Sequence, residues 1–266
     1  MNIPRFFITP ESIDESQKSI VCQDAKLSKQ VRKVLRLEKG AKLAFLDGKG
    51  KLYHCILEDS APNQNSNFLK ARIESQEFFA PQSPTAITVA LPLIKANRFE
   101  WALEKLTELG IDTIIPVAVQ RSVIKISNAN PPELKSKFSR WQKIIQEASE
   151  QCERSVPPNL LAPILFTDWL STLSQSPCQM QLICVERQDN QSIENLLCNQ
   201  KVVPSSCAIA LGAEGGFTEE EIKLALSHNF QPISLGPFIL RAETAAIYTL
   251  AVVNAFLRLI HKDPQR

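Results

Sequence analysis

Apolar and polar positions follow two different rhythms along the chain, and the change falls near residue 78. Upstream, short apolar-rich runs separated by turn residues predict strands at 5–8, 20–22, 42–46, 52–57 and 68–73. The turn Asp47-Gly48-Lys49-Gly50 joins the third run to the fourth, a hairpin signal because glycine takes positive φ at no steric cost. A small β-barrel fits this grammar. One helix interrupts it, expected to start after a capping Asp24 and to stop at Gly40. On it Leu27, Val31, Val34 and Leu35 share one face, while Lys26, Lys29, Lys33 and Arg36 follow three- and four-residue steps along another.

The segment Phe78-Phe79-Ala80-Pro81-Gln82-Ser83-Pro84 has two prolines and no periodicity, and reads as a linker. Beyond it, apolar β-type runs at 86–91, 113–119, 180–185, 207–211 and 232–235 alternate with helical patterns. That alternation predicts an α/β domain with a mainly parallel sheet. One helix is expected to be capped by Asn97, to bury Phe99, Leu103 and Leu106, and to end at Gly110. The next starts near Pro131-Pro132 and aligns Leu134, Phe138, Trp141, Ile145, Ala148 and Cys152. Beside that stripe, Arg140, Lys143, Glu147, Gln151 and Arg154 are mixed in sign, as on a solvated face carrying i,i+4 pairs. The expected division is 1–77 and 78–266.

Charge changes this picture only locally. The net charge is +2, too small to mark a strong nucleic-acid binder by itself. Between Lys18 and Lys51, however, ten Lys and Arg face three Asp and Glu, so a basic surface is expected there. Seven cysteines at scattered spacings, without a Cys-x-x-Cys pair, read as reduced thiols in a reducing compartment. Three histidines, none at ligand spacing from a cysteine or another histidine, argue against a transition-metal site. The richest apolar stretch, 245–260, is broken by Asn254 and Arg258, so no membrane span is expected. The start shows no secretory pattern, and a cytoplasmic location is the expectation.

The chemistry concentrates in two places. Leu211-Gly212-Ala213-Glu214-Gly215-Gly216-Phe217 follows a strand and opens a helix, at the sheet edge where open α/β folds bind ligands. Thr218 and Glu221 have capping-box spacing, and Glu219, Glu220 and Glu221 fill the helix N-terminus with carboxylates. A pyrophosphate would be repelled there, and neither the dinucleotide nor the Walker A pattern is met. A phosphate-free ligand with an adenine and a cationic centre, such as S-adenosylmethionine, suits the loop better. The second place is Leu235-Gly236-Pro237-Phe238-Ile239-Leu240-Arg241-Ala242-Glu243-Thr244-Ala245, which feeds a helix apolar nearly all round and therefore expected to be buried in a core or against a second subunit. Arg241 stands out in that apolar setting. It is read either as paired with Glu243 or as meeting a bound anion.

Read together, these segments resemble the 16S ribosomal RNA uridine N3-methyltransferases, of the SPOUT class of knotted methyltransferases. The likeness runs through Ile3-Pro4-Arg5-Phe6-Phe7, Val34-Leu35-Arg36-Leu37 with Gly40, Lys95, and Lys105-Leu106-Thr107-Glu108-Leu109-Gly110. It continues in Arg121-Ser122, Trp141 with Glu147, Gln151, Arg154 and Pro157, and the two segments above. Two positions depart from it. Ala213 stands where the family's loop has proline, which leaves φ unfixed, and Gln30 stands where its His-x-x-x-Val-Leu-Arg motif has histidine.

The resemblance implies a PUA-like RNA-binding barrel, a C-terminal domain threaded into a trefoil knot, a homodimer, and 16S rRNA or the small ribosomal subunit as partner. It implies a cofactor pocket for S-adenosylmethionine built from Leu211, Gly212, Gly215 and Gly216 in one loop and Leu235, Gly236, Leu240, Thr244 and Ala245 in the other. Arg241 is then the candidate for stabilising the uracil anion or anchoring phosphate, and Glu214 or Glu243 for accepting the N3 proton. Arg5, Lys33, Arg36, Lys95, Arg121 and Arg154 are the candidates for RNA contact. An RNA-binding or ribosome-assembly factor without activity would need only the barrel and basic helix, leaving the Gly212 loop and Arg241 without purpose. A nucleotide-binding oxidoreductase conflicts with the glutamates that follow the loop.

Overall fold

The computed structural model describes residues 3–59, 68–79, 84–122, 131–186, 191–200 and 202–262. Residues 80–83 of the expected linker lie outside them. The chain forms two compact units, Met1–Gln82 with Ser149–Pro157, and Ser83–Ala148 with Pro158–Arg266.

In the first unit, β1 (Arg5–Phe7), β2 (Ile13–Asp14), β3 (Ser19–Cys22), β4 (Lys42–Leu46), β5 (Lys51–Asp59) and β6 (Leu69–Phe78) form a sheet of order β1-β4-β5-β6-β3-β2. Among the described residues only the β1–β4 pairing is parallel. Phe6, Ile20, Leu43, Phe45, Tyr53, Leu57 and Leu69 build its core, and Ala44, Leu46 and Leu52 form a second cluster. β4 therefore reads as a near-continuous apolar run. At the β4–β5 turn the Asp47 carboxylate accepts from the Lys49 and Lys51 amides at 2.7 and 3.0 Å. The segment 149–157 belongs here: Glu150 Oε1 accepts from the Phe7 amide at 3.0 Å, and Arg5 pairs with Glu153 at 2.8 Å.

The basic helix departs from expectation. Asp24 caps it as predicted, accepting from the Lys26 and Leu27 amides, but α1 spans only Ala25–Lys29 and continues as a single π-type turn, Gln30–Val34. The Leu35 amide reaches back five residues to the Gln30 carbonyl at 2.9 Å. One extra residue in a turn rotates the following side chains off the helical stripe. Leu27 and Val31 stay buried, whereas Val34 and Leu35 are 69% and 42% exposed. Arg36 itself takes positive φ, ending the segment before Gly40. Lys26, Lys29, Lys33 and Arg36 all face solvent.

The second unit holds β7 (Ala86–Pro92), α2 (Ala96–Glu108), β8 (Thr113–Ala118), α3 (Pro131–Gln151), β9 (Asn159–Leu160), β10 (Ile164–Leu165), α4 (Phe166–Leu173), β11 (Met180–Cys184), α5 (Ile193–Cys198), β12 (Ser206–Ala210), α6 (Glu219–Ser227), β13 (Gln231–Ile233) and α7 (Ala242–Lys262). Among the described residues its strands pair in parallel throughout, in the order β10-β8-β7-β12-β11-β13, with β9 also on β8. Helix crossovers cover such a sheet on both faces, and the run Cys207–Ala210 is buried accordingly. The last turn of α3 falls in the first unit.

α2 buries Phe99, Leu103 and Leu106 and stops before Gly110 at positive φ, as its pattern predicts. Its cap is Lys95, not Asn97: the Arg98 and Phe99 amides bond the Lys95 carbonyl, and Asn97 lies in the first turn facing solvent. Arg140 of α3 grips Glu100 of α2 with two bonds of 2.6 and 2.8 Å, and Lys143 pairs with Glu147 one turn on.

α7 packs against α2 and the sheet through Ala242, Ala246, Leu250, Val253 and Leu257. Asn254 donates to the Leu109 carbonyl at 2.6 Å, satisfying an acceptor at the end of α2. By length and composition 242–260 could cross a bilayer, but this stripe is core. Within one chain α7 is thus buried on one side, not all round, and Leu259 is 65% exposed. Burial pushes the Cys184 thiol, between β11 and α7, up to about 12.

Candidate functional site

In a parallel sheet all carboxyl ends lie along one edge, so the loops after β12 and β13 emerge on the same side with β11 between their strands. Both belong to the second unit.

The β12 loop is a tight knuckle. Buried Ala213 and Phe217 anchor it, the Phe217 ring standing 4.9 Å from that of Phe166. The Gly216 amide bonds the Ala213 carbonyl at 2.9 Å, and Gly216 takes φ +67°. A Cβ on Gly212 would lie 3.1 Å from the Gly216 backbone, so a side chain there would press the strand end against the returning loop. Arg121 spans the knuckle from outside, donating to the carbonyls of Gly215 and Phe217 at 2.8 and 3.2 Å. A Cβ on Gly215 would meet the Arg121 side chain at 3.0 Å.

The capping box at α6 is complete. Thr218 Oγ1 accepts from the Glu221 amide at 3.2 Å, and Glu221 Oε2 from the Thr218 amide at 2.9 Å. The other oxygen of Glu221 accepts from the Gln120 amide at 2.7 Å, so this buried carboxylate joins the end of the β8 segment to the loop. Glu219 and Glu220 remain exposed, and the Glu220 carboxyl is held below its usual range by its own backbone N–H, then by Thr218.

After β13, Ser234 Oγ accepts from the Gly236 amide at 3.3 Å and Gly236 takes φ +111°. Phe238 and Ile239 are 81% and 56% exposed. Leu235, Leu240 and Ala245 are half-buried and Thr244 is exposed. Arg241 is exposed rather than set at a buried edge, and its side chain has no ion pair or hydrogen bond among the described residues. Its carbonyl accepts from the Ala245 amide at 2.8 Å, at the start of α7.

Glu243 pairs with a residue that local pattern did not single out. Arg98, in the first turn of α2, places Nε 3.6 Å from Glu243 Oε1 and Nη1 3.8 Å from Glu214 Oε1. The Glu243 side chain is only 7% exposed, and its Oε2 is buried without a hydrogen-bond partner among the described residues. Arg98 follows β7, which lies beside β12 in the sheet, and that adjacency carries no sequence signal.

The six basic candidates divide by engagement. Arg5 is tied to Glu153, Arg154 Nε donates to the Val156 carbonyl, and Arg121 holds the β12 loop. Lys33, Arg36 and Lys95 are exposed. Arg5, Lys33, Arg36 and Arg154 lie in the first unit, Lys95 and Arg121 in the second.

An RNA methyltransferase domain model matches residues 81–254, and an RNA methyltransferase PUA domain model matches residues 31–64. Ribosomal RNA small subunit methyltransferase E of Synechocystis sp. is 35% identical over 253 residues, covering 95% of this chain and 78% of that protein. A methyltransferase from Legionella pneumophila, solved in complex with S-adenosylmethionine, superposes with a TM-score of 0.83 at 29% identity, over 96% of this chain and 98% of that one. Ribosomal RNA small subunit methyltransferase E from Neisseria gonorrhoeae, solved bound to S-adenosylmethionine, does so with a TM-score of 0.80 at 26% identity, over the same shares. With its parallel sheet, glycine knuckle and N-terminal PUA segment, the chain belongs to the RNA methyltransferase family that includes ribosomal RNA small subunit methyltransferase E.

Proposed function

We propose that the chain methylates N3 of a uridine in small-subunit (16S) ribosomal RNA with S-adenosylmethionine as methyl donor. In this reading residues 1–77 form the PUA-like RNA-binding domain and 78–266 the SPOUT domain, knotted in its last segments. The enzyme acts in the cytoplasm as a homodimer, the exposed side of α7 supplying the subunit surface. The observation that carries the reading is the pair of loops at one sheet edge, one a glycine knuckle and the other running into a buried carboxylate.

Those residues fit the cofactor. Gly216 and Gly236 have open space where a side chain would stand, so backbone groups of both loops can approach an adenosyl ligand. Leu211, Gly212, Gly215 and Gly216 would line one side, and Leu235, Gly236, Leu240, Thr244 and Ala245 the other. Carboxylates at Glu214 and Glu243 complement a cation and disfavour a pyrophosphate. When bound, S-adenosylmethionine supplies an electrophilic methyl group.

The protein's own work is alignment and proton management. N3 lies on the Watson–Crick edge, so the base must be unpaired or turned out of its stack to be reached. Arg241, exposed and without an ion pair or side-chain hydrogen bond among the described residues, would meet the uracil anion or a neighbouring phosphate. Glu214 or Glu243 would take the N3 proton. Lys33, Arg36 and Lys95 are free to contact phosphates. Arg5, Arg121 and Arg154 would reach RNA while holding their present partners.

The test is transfer of labelled methyl from S-adenosylmethionine to small ribosomal subunits lacking the modification, followed by nucleoside analysis. N3-methyluridine is the expected product. Another methylated nucleoside would overturn the assigned position, and no transfer would overturn the reading as a whole.

A further inference from the structure

The Arg98 cluster joins three parts of the second unit that are far apart in sequence. Arg98 starts α2, Glu214 sits at the tip of the β12 knuckle, and Glu243 lies in the first turn of α7. One guanidinium faces two carboxylates, so the cluster carries one unmatched negative charge. The two carboxylates do not share it equally. Glu214 is 29% exposed and can be served by water. Glu243 is buried, with Oε1 toward Arg98 and Oε2 without a donor among the described residues. A buried carboxylate oxygen in that condition is unfavourable unless another donor or cation reaches it.

We infer that Arg98 is a positioning residue of the cofactor site: it holds the β12 loop and the start of α7 together through Glu214 and Glu243, leaving a directed negative charge that favours the sulfonium of S-adenosylmethionine. The inference rests on the proposed cofactor. It goes further in assigning a residue outside both loops and a basis for distinguishing the cofactor from its uncharged-sulfur product. Without Arg98 the two carboxylates repel each other, and the loops lose the contact that sets their spacing. Without the Glu243 charge, Arg98 keeps its pair with Glu214 and faces an isosteric neutral side chain at 243, but the preference for a cation falls.

Calorimetric titration of the full chain with S-adenosylmethionine and with S-adenosylhomocysteine, alongside thermal melting, tests this. Wild-type binding of S-adenosylmethionine is the control: its absence would sink the proposed function itself. Given that binding, Arg98→Met is expected to weaken S-adenosylmethionine about tenfold, a modest figure because the pair is partly solvated. Arg98→Lys, which keeps the charge, should recover most of the loss. Unchanged affinity in Arg98→Met, or a Lys variant no better than Met, would overturn the inference. So would a lowered melting temperature with affinity intact, which would mark a merely structural ion pair. Should Arg98→Met fail to fold, Glu243→Gln decides: it keeps the shape, and it should weaken S-adenosylmethionine several-fold more than S-adenosylhomocysteine. Equal weakening of the two ligands would refute the charge selection.

Discussion

Glu221 ties the end of the β12 loop to the β8 segment, and Glu221→Gln is a sharp perturbation because it barely alters volume. Both carboxylate oxygens of Glu221 accept from backbone N–H groups, Gln120 at 2.7 Å and Thr218 at 2.9 Å. Only 4% of the residue is exposed, so water cannot replace either bond. A glutamine has one acceptor oxygen, and its amide nitrogen must then face a backbone donor. One charge-assisted hydrogen bond is lost, worth about 1.5–3 kcal/mol, and a buried N–H is left unpaired, at about 1–3 kcal/mol. Some relaxation is certain in a loop, so a net loss of about 2–4 kcal/mol is expected. At about 2–4 °C per kcal/mol for a chain of this size, thermal melting should fall by several degrees. Because the same carboxylate ties the Gln120 segment to the N-terminus of α6, cofactor affinity should fall with it. A Glu221→Gln variant melting within about one degree of wild type would refute the assignment of both bonds.

Two further outcomes follow from the same geometry. Gly212→Ala places a methyl 3.1 Å from the Gly216 backbone; the knuckle must open by a few tenths of an ångström at a cost of about 1–3 kcal/mol, detectable as weaker cofactor binding in titration and a lower melting temperature. Arg241→Gln should leave melting unchanged, since the side chain is exposed, while methyl transfer to ribosomal subunits falls about a hundredfold if the guanidinium meets a developing anion; a full-rate variant would remove Arg241 from the mechanism.

Much of the fold was readable before the structure. The change from short strands to alternating strand and helix near residue 78, the β12 loop, and the capping box of Thr218 and Glu221 are local patterns, and local hydrogen bonding enforces them. A π-type turn leaves no signature in residue spacing, so Val34 and Leu35, expected on the same face as Leu27 and Val31, lie exposed while those two are buried. Asn97 has the chemistry of a cap, but the chain enters α2 two residues earlier and Lys95 takes the position. Arg241 stands out in an apolar stretch of sequence, but Arg241, Phe238 and Ile239 are all exposed, because apolar neighbours along the chain do not settle burial.

The sequence by itself determined where the two glycine-bearing loops begin and which residues cap the helix after the first of them. Each of these depends on neighbours within a few positions. Only the tertiary structure decided which charges meet. Arg98 reaches Glu214 and Glu243, and Arg121 reaches Gly215 and Phe217, because β7 lies between β8 and β12. Strand order is set by burial of the whole sheet and its crossovers rather than by local periodicity, so the partners of a long, flexible arginine are fixed only when distant segments pack.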